Sequence, residues 1–285
     1  MSEDGNAVLD KSAALLGAVA ARLDRIRERL AEAHVDPACI GFDDCLVGDI
    51  ADAGFRGSAE LRATGIVVEQ WGGSNNCIVV HRRGNRNLSH IRIRCYSANN
   101  VIYIGPNCML SGLVRMHADG GMYIVCGDNQ QPANFHATLW SRDNTILIAA
   151  RTTSNGTQLV SMGERASIVI GEDCMFSTGV WMKTSDMHCI VDIETQQIVN
   201  KNGNVGDVVL GKHVWIGQDV LVVLGVKIGS GAIVGAKSFV NKDIPDCTLS
   251  VGTPARELRS GVTWLRSHAF VASEYAAVRD DLGLA

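Results

Sequence analysis

The segment VVLGKHVWIGQDVLVVLGVKIGSGAIVGAKSFVNKDI, residues 208–244, carries an aliphatic residue at every sixth position. These positions are Leu210, Ile216, Val222, Ile228, Val234 and Val240. A helix repeats its apolar face every 3.6 residues and a strand every two, so a period of six fits neither element alone. It predicts a mainly β coil in which three six-residue segments make one triangular turn and the inward side chains of successive turns stack. Glycine follows most inward positions, where the backbone must bend.

The same six-residue step recurs upstream in other registers. It is kept by Ile170, Phe176 and Met182, and earlier by Ile104 and Leu110. Positions 170 and 210 are not separated by a multiple of six, so part of the chain between them must loop out of the coil. The polar stretch 185–206 is predicted to form this loop because it concentrates turn-forming residues. These are Asn200, Asn202, Gly203 and Asn204.

Two pairs of cysteines, Cys77 with Cys95 and Cys108 with Cys126, share one sequence separation, which equals the length of three hexapeptides. This spacing predicts that the members of each pair occupy equivalent positions one turn apart, as a stack of small buried residues and not as a metal site. The nine cysteines include no CxxC pair. This usage indicates reduced thiols in a cytoplasmic protein.

Composition limits the classes of partner. A formal charge of −4 and a pI near 6.1 give no reason to expect nucleic acid or an anionic membrane. The chain begins MSEDGNAVLDK, which is acidic where a secretory signal is basic, and its apolar stretch Ala13–Ala21 is too short to span a bilayer. We therefore expect a cytoplasmic protein without a transmembrane segment.

Helical patterns flank the repeat at both ends. Near the N-terminus a heptad seam is formed by Leu16, Val19, Leu23, Ile26 and Leu30. Such a seam is typical either of a helix that self-associates or docks on a neighbouring subunit, or of a helix that lies on its own subunit. Pro37 is predicted to end this helix. At the other end, a helix predicted to cover the open end of the coil has its apolar face at Val271, Tyr275, Val278 and Leu282.

The predicted loop begins with the cluster TSDMHCIVD, residues 184–192. Loops that leave a rigid scaffold often carry function. A neutral imidazole can take a proton from a hydroxyl near neutral pH, so His188 is a candidate general base, with Asp186 or Asp192 orienting the ring and stabilising its charged form. The competing interpretation is a solvated loop histidine. His213 is predicted to be a turn residue on the outside of the coil.

A second polar cluster lies at the end of the coil. Its cationic side chains are Lys237, Lys242, Arg256 and Arg259. Such groups can hold phosphates through charge-assisted hydrogen bonds, or can simply solvate the surface.

From about residue 65 to residue 264 the chain resembles the hexapeptide-repeat acyltransferases, in particular the polysaccharide and sugar O-acetyltransferases. The resemblance is carried by IGEDCMFSTGVWMKTSDMHCIVD (170–192), by the repeat segment extended to Asp246, and by SVGTPARELR (250–259). It implies that the coil is a left-handed parallel β-helix, which the terminal patterns flank with N-terminal and C-terminal helices. The predicted domains are an N-terminal amphipathic helix and possible oligomerisation segment (1–37), an unassigned connection (38–70), a β-helix acyltransferase domain with loop 185–206 (71–260), and a C-terminal helix (261–285).

In that family the loop histidine deprotonates an acceptor hydroxyl, which attacks the thioester of acetyl-CoA directly, and this role falls on His188. The resemblance also implies cofactor contacts at Trp215, Gly217, Gly235, Ala236, Asn241, Lys242 and Arg259. Asn241 stands where the family usually has threonine. The family further implies a homotrimer whose active sites lie between adjacent coils, so that each site draws on two chains.

The sequence thus predicts an acetyl-CoA-dependent O-acetyltransferase that acts on a saccharide hydroxyl of capsule, lipopolysaccharide or exopolysaccharide type. Alternatives within the class are an amino sugar, serine or a xenobiotic as acceptor. A β-helix carbonic anhydrase needs three histidines on zinc, but no histidine pair here has the expected close spacing, and we predict no metal. A non-catalytic β-helix scaffold is the remaining alternative.

Overall fold

The computed structural model of the chain is a solenoid of parallel β-strands. The structure describes residue 17 and residues 19–84, 90–129, 132–200 and 204–284. Leu16 of the predicted seam and Asn202 and Gly203 of the predicted loop lie outside the described residues. The same holds for residues 1–15, 18 and 285 of the predicted terminal segments.

Two hydrogen-bonded sheets run the length of the solenoid. The first contains β1 (Cys45–Asp49), β3 (Cys77–His81), β5 (Val101–Ile104), β7 (Met122–Val125), β9 (Thr145–Ile148), β11 (Ser167–Ile170), β14 (Val208–Leu210) and β17 (Val226–Ile228). The second contains β2 (Ile66–Gln70), β4 (His90–Cys95), β6 (Leu110–Met116), β8 (Ala133–Leu139), β10 (Thr153–Ser161), β12 (Met175–Phe176), β13 (Val180–Lys183), β15 (Trp215–Ile216), β16 (Leu221–Val222), β18 (Ile233–Val234), β19 (Phe239–Val240), β20 (Thr248–Gly252) and β21 (Ala255–Ser260). The helices are α1 (Arg27–Glu32), α2 (Ala53–Arg56), α3 (Ala59–Ala63) and α4 (Ala272–Asp281), with a 3₁₀ turn at Pro37–Cys39.

From β11 onward each coil has three short strands and therefore three faces. The first face is β11, β14 and β17, the second is β12, β15, β18 and β20, and the third is β13, β16 and β19. In the earlier coils one long strand covers the second and third faces together. Thus β10 pairs with β12 through Thr153–Ser154 and with β13 through Thr157–Val160, and Gly156, with φ of 137°, lies at the bend between these segments.

The aliphatic column predicted from the hexapeptide repeat is confirmed. Its six side chains from Leu210 to Val240 are at most 1% exposed and belong to one apolar core that follows the solenoid axis. Leu210 pairs with Ile228, and Ile216 pairs with Val234, so each inward residue stacks on its equivalent three hexapeptides further along. Full burial of an aliphatic side chain contributes about 1.5–3 kcal/mol before entropy is subtracted. The column therefore stabilises the solenoid along its length.

The register shift between the two parts of the repeat lies where the third face of one coil leads into the first face of the next. The register partners across it are Ile170 with Leu210, Phe176 with Ile216, and Met182 with Val222. The two residues of each pair are separated in sequence by three hexapeptides plus the length of segment 185–206. In the next coil, paired residues are separated by three hexapeptides alone. An antiparallel bridge between Ser185 and Val205 closes this segment at its base. The segment is a loop inserted into an otherwise continuous coil.

The prediction that the spacing of the cysteine pairs marks one turn is wrong. The register partner of Cys77 is Val101, one hexapeptide beyond Cys95, and Cys95 itself ends β4 in the other sheet. The coils before β11 are all longer than three hexapeptides, because each carries one long strand in place of two hexapeptides. The cysteines differ in burial: Cys95, Cys108, Cys126 and Cys174 are buried, whereas Cys77 of the first pair is only partly buried.

Residues 38–70, which the sequence left unassigned, close the N-terminal end of the coil. Strand β1 pairs antiparallel with β3, and β2 pairs parallel with β4. Between them, Asp52 caps α2 and Ser58 caps α3 through side-chain hydrogen bonds to backbone N–H groups. Ile50 and Leu61 are buried in the same apolar core as the inward column. This segment therefore covers the first open turn.

Helical residues 19–25 together with α1 form the N-terminal helix, which lies along the first face of its own subunit. The seam is buried there at Val19, Leu23, Ile26 and Leu30. It packs against outward side chains of the first face such as Tyr103 and Ile124. The second interpretation of the heptad seam is therefore the one in the structure, because these apolar side chains are already covered. The helix ends at Glu32, and Pro37 begins the 3₁₀ turn that follows.

The C-terminal helix α4 lies beside the corner between the first and second faces. Asp281 Oδ1 is 3.7 Å from Lys212 Nζ, and Leu282 lies against Gly231 one coil further along. Of the predicted apolar face, Val278 is buried, whereas Val271 is 40% exposed and Tyr275 38% exposed. The helix therefore packs along this corner, contrary to the prediction that it covers the open end of the coil. The antiparallel hairpin β20–β21 follows the last coil.

Candidate active site

The loop 185–206 leaves the third face directly after β13, and its base is fixed to the preceding coil. The hydroxyl of Thr184 donates to the carbonyl of Met162 and accepts from the N–H of the same residue, both at 2.8 Å. The N–H of Gly206 donates to the Thr184 carbonyl at 2.9 Å, where the chain re-enters the coil. Val205 also packs where a Cβ on Gly163 would stand. The two ends of the loop are thus anchored side by side.

His188 lies exposed in the first part of this loop, and Asn200 holds the backbone around it. Asn200 Nδ2 donates to the His188 carbonyl at 3.3 Å and to Asp186 Oδ2 at 3.1 Å, while its Oδ1 accepts from the N–H of Ile190. Asn204 Oδ1 accepts from the N–H of Asp186 at 3.0 Å. Asn200 is only 9% exposed, so these bonds are largely shielded from water. The sequence had identified Asn200 and Asn204 as turn residues only, and their clamping role emerges from the fold.

The two carboxylates considered as orienting groups have different surroundings. Asp186 lies beside the loop base, bound to Asn200. Asp192 lies at the loop tip, where its Oδ1 accepts from the N–H groups of Glu194 and Thr195 and from the Thr195 hydroxyl. These hydrogen bonds, chiefly those from Thr195, lower the pKa of Asp192 below its usual value. Across the described part of the loop, no hydrogen bond joins the His188 imidazole to either carboxylate.

Three of the residues implied to contact the cofactor lie together at the corner between the second and third faces. Gly217 and Gly235 occupy equivalent positions in successive coils, and Ala236 follows Gly235. A Cβ on Gly217 would stand 2.6 Å from the backbone nitrogen of Ala236. Because no side chain fits between them, backbone groups of neighbouring coils are close at this corner.

The other implied cofactor contacts are distributed over the surface around the third face. Asn241 and Lys242 follow β19 at the corner between the third and first faces, which is the corner that the loop leaves two coils earlier. Trp215 lies on the second face, 36% exposed, with its ring 6.2 Å from that of Trp264. Arg259 is exposed in β21, paired with Leu249 at the end of the second face. The structure therefore does not gather the implied cofactor residues into one cluster within a single chain.

His213 is buried, contrary to the expectation of an outward turn residue, because Trp264 covers it. The two rings stack with centroids 4.1 Å apart. His213 Nδ1 is 2.6 Å from Asp173 Oδ2, and its Nε2 is 2.8 Å from the Trp264 carbonyl oxygen. Arg266 binds the other carboxylate oxygen of Asp173. Burial disfavours the charge of Asp173, but the bond from His213 and the charge of Arg266 outweigh it and lower the pKa of Asp173.

Within residues 19–84, 90–129, 132–200 and 204–284, no group of three or more His, Cys, Asp or Glu side chains is arranged to hold a metal ion. The helices in these ranges include none long and apolar enough to cross a membrane.

Comparison with known proteins places this arrangement in a class. No family model matches the chain. A polysialic acid O-acetyltransferase of Neisseria meningitidis is 30% identical over 154 residues, which cover 54% of this chain and 68% of that protein. The chain therefore belongs to the hexapeptide-repeat acyltransferases, the family of that enzyme, and is an acyltransferase.

A second relative supports this class, and one solved structure shows the fold. A polysialic acid O-acetyltransferase of Escherichia coli O1:K1 / APEC is 31% identical over 128 residues, which cover 45% of this chain but only 40% of that protein. The crystal structure of the polySia specific acetyltransferase NeuO matches with a TM-score of 0.65 and 23% identity, over 77% of this chain and 98% of that one. This match identifies the solenoid as a left-handed β-helix.

Proposed function

We propose that the protein transfers an acetyl group from acetyl-CoA to a hydroxyl of a saccharide, with His188 as the general base. Two relatives are named for O-acetylation of polysialic acid, which supports a saccharide acceptor. The observation that carries the mechanism is an exposed imidazole on a loop whose backbone is clamped by Asn200 and whose base is bridged at Ser185 and Val205. A fixed base next to an accessible surface suits proton abstraction from a bound hydroxyl.

In this mechanism the neutral imidazole of His188 takes the proton of the acceptor hydroxyl as the oxygen attacks the thioester carbonyl carbon. When the carbon–sulfur bond breaks, the imidazolium returns the proton to the departing thiolate. The products are the acetyl ester and free CoA, so atoms and charge balance. A positioned general base supplies about 10²–10⁴-fold in rate, and fixing two substrates in reacting geometry supplies more.

The acetyl donor is proposed to lie along the third face on the C-terminal side of the loop. The close backbone groups at Gly217, Gly235 and Ala236 are suited to hydrogen-bond an extended amide chain, and Lys242 offers a cation for phosphate. Trp215, Asn241 and Arg259 complete the proposed set. Because these residues are spread over several faces of one chain, we propose that a homotrimer assembles each site from two subunits. The nine unpaired cysteines favour a cytoplasmic location for this enzyme.

The proposal is tested by measuring CoA thiol release from acetyl-CoA with a panel of neutral and acidic oligosaccharides. His188→Ala is compared with His268→Ala, which removes another exposed histidine far along the sequence from the loop. Acceptor-dependent release should fall by about 10²–10⁴-fold in His188→Ala and stay unchanged in the control. Undiminished turnover of His188→Ala would refute the role of the histidine. Absence of acetyl-CoA binding in the wild type would favour a non-catalytic scaffold instead.

A further inference from the structure

A cavity of about 210 Å³ lies between the N-terminal helix and the corner that joins the third and first faces. It is lined by Arg22, Arg25, Ile26 and Arg29 of the helix and by Asp143, Thr145 and Arg165 of the coils. Four of these seven side chains are guanidinium groups and one is a carboxylate. This concentration of arginine is unexpected in a chain with a net charge of −4.

Two of the four arginines are committed to holding the helix in place. Arg22 donates to the carbonyls of Asn99 and Gly120, and Arg29 donates to Asp207 Oδ2 at 2.7 Å. Burial lowers the pKa of Arg22, yet a guanidinium remains charged at neutral pH. These bonds fix the helix parallel to the solenoid axis, since they reach successive coils.

The other two arginines have donors to spare. Arg25 is 48% exposed and lies 3.5 Å from Asp143 at its nearest approach. Arg165 is exposed and forms no ion pair with any residue in the described ranges. With Asp143 opposing Arg25 and Asp207 opposing Arg29, the cavity keeps an excess of two positive charges. Carboxylate and phosphate are the groups that guanidinium donors bind best.

The cavity lies on the same edge of the solenoid as the loop of His188, on its N-terminal side. Arg165 occupies the corner one coil before the loop base, and Gly163 of that corner lies against Val205 of the loop. Neighbouring coils are separated by about 4.8 Å, so the arginines and the loop base are adjacent. Lys242 lies two coils beyond the loop on the other side, which puts it about 14 Å along the axis from Arg165.

We propose that this arginine cavity binds a carboxylate of an acidic oligosaccharide acceptor and so holds a neighbouring sugar hydroxyl at His188. This inference rests on the proposed function and specifies its acceptor. An acceptor that enters from the N-terminal side of the loop meets a donor held on the C-terminal side, with the general base between them. The phosphates of acetyl-CoA share this anion chemistry, but the proposed donor residues lie on the far side of the loop.

The test measures binding by calorimetry, without turnover, so that it can be read even if the proposed reaction fails. The probes are a sialic acid hexamer, neutral maltohexaose of equal length, and acetyl-CoA. The variants are Arg25→Gln and Arg165→Gln, singly and together. The matched control is Arg27→Gln, which removes a 76% exposed arginine of the same helix whose partner is Asp24.

We expect each single variant to weaken binding of the sialic acid hexamer by about fivefold and the double variant by about 20-fold. Arg27→Gln should bind like the wild type, and no variant should change the affinity for maltohexaose or acetyl-CoA. The proposal is overturned if the wild type does not bind the acidic hexamer, or if the arginine variants bind it normally. It is also overturned if their affinity for acetyl-CoA falls, because the cavity would then hold cofactor phosphates.

Discussion

Removal of one charge at Asp173 should weaken the packing of the segment that follows the last strand against the β-helix. Asp173 binds His213 through one carboxylate oxygen and Arg266 through the other. Arg266 in turn donates to the Thr153 hydroxyl and to backbone carbonyls of the coil, and Trp264 stacks over His213. Asp173→Asn keeps the shape of the side chain but removes the negative charge that His213 and Arg266 bind.

The magnitude follows from the burial of the three groups. The side chains of His213, Asp173 and Arg266 are 3%, 22% and 33% exposed. The contacts of Asp173 with the other two are therefore intermediate between those of a buried and of a surface ion pair. Breaking a fully buried pair by removal of one partner costs about 3–5 kcal/mol, and each hydrogen bond to a charged group contributes about 1.5–3 kcal/mol. Because the amide oxygen can still accept one bond, we expect a loss of about 2–3 kcal/mol in the free energy of unfolding.

The assay is urea and thermal unfolding followed by circular dichroism and tryptophan fluorescence. At about 2 °C per kcal/mol for a chain of this size, the midpoint should fall by about 4–6 °C. Glu164→Gln, which removes the anion of an exposed pair with Arg142, is the control and should not change the midpoint.

The pH dependence provides a second check. The pKa of Asp173 is lowered, so its contribution to stability is fully present above its unfolded value of about 3.9 and is lost as the pH falls through the folded value. The difference in stability between wild type and Asp173→Asn should therefore shrink as the pH falls below about 4. An unchanged midpoint for the variant at pH 7 would refute the reasoning.

Two other predictions use matched pairs. Gly112 and Gly156 have φ of 132° and 137°, but a Cβ would stand 1.8 Å from the Phe135 carbonyl oxygen at Gly112 and in open space at Gly156. In urea unfolding, Gly156→Ala should lower the free energy of unfolding by about 1–2 kcal/mol because of backbone strain alone. Gly112→Ala should lower it by at least about 2 kcal/mol more because of the clash, and equal losses would show that the clash is irrelevant. Asn200→Ala removes the clamp on the loop backbone and should lower kcat by about 10–100-fold, whereas Glu194→Ala at the exposed loop tip should leave kcat unchanged. Equal kcat values for both variants would contradict the clamp.

The sequence predicts the fold best where the buried side chains are also the ones that recur at a regular spacing. The hexapeptide period reports directly on the inward column from Leu210 to Val240, and the break in that period locates the loop by counting alone. In the earlier coils one long strand such as β6 or β10 forms both the second and the third face. The inward residues of these coils therefore do not recur every six positions in the sequence. Cysteine spacing was misleading there, because every turn of those coils is longer than three hexapeptides.

The sequence alone predicts which polar loop carries His188, but it does not predict the contacts around that loop. His188 was identified from its place in a polar loop, but the clamp by Asn200 depends on how the loop closes. His213 was misplaced because Trp264, distant in sequence, covers it. Arg22, Arg25 and Arg29 resemble a solvated helix face in sequence, and only the position of the helix against the corner of the coil makes them a cavity.

The most direct test of the account is the rate of acceptor-dependent CoA release by wild type and His188→Ala at saturating acetyl-CoA, with the dissociation constant for acetyl-CoA measured in parallel. The account predicts a rate lower by about 10²–10⁴-fold in the variant with an unchanged dissociation constant. A variant that turns over like the wild type, or that loses activity only because it no longer binds acetyl-CoA, would contradict it.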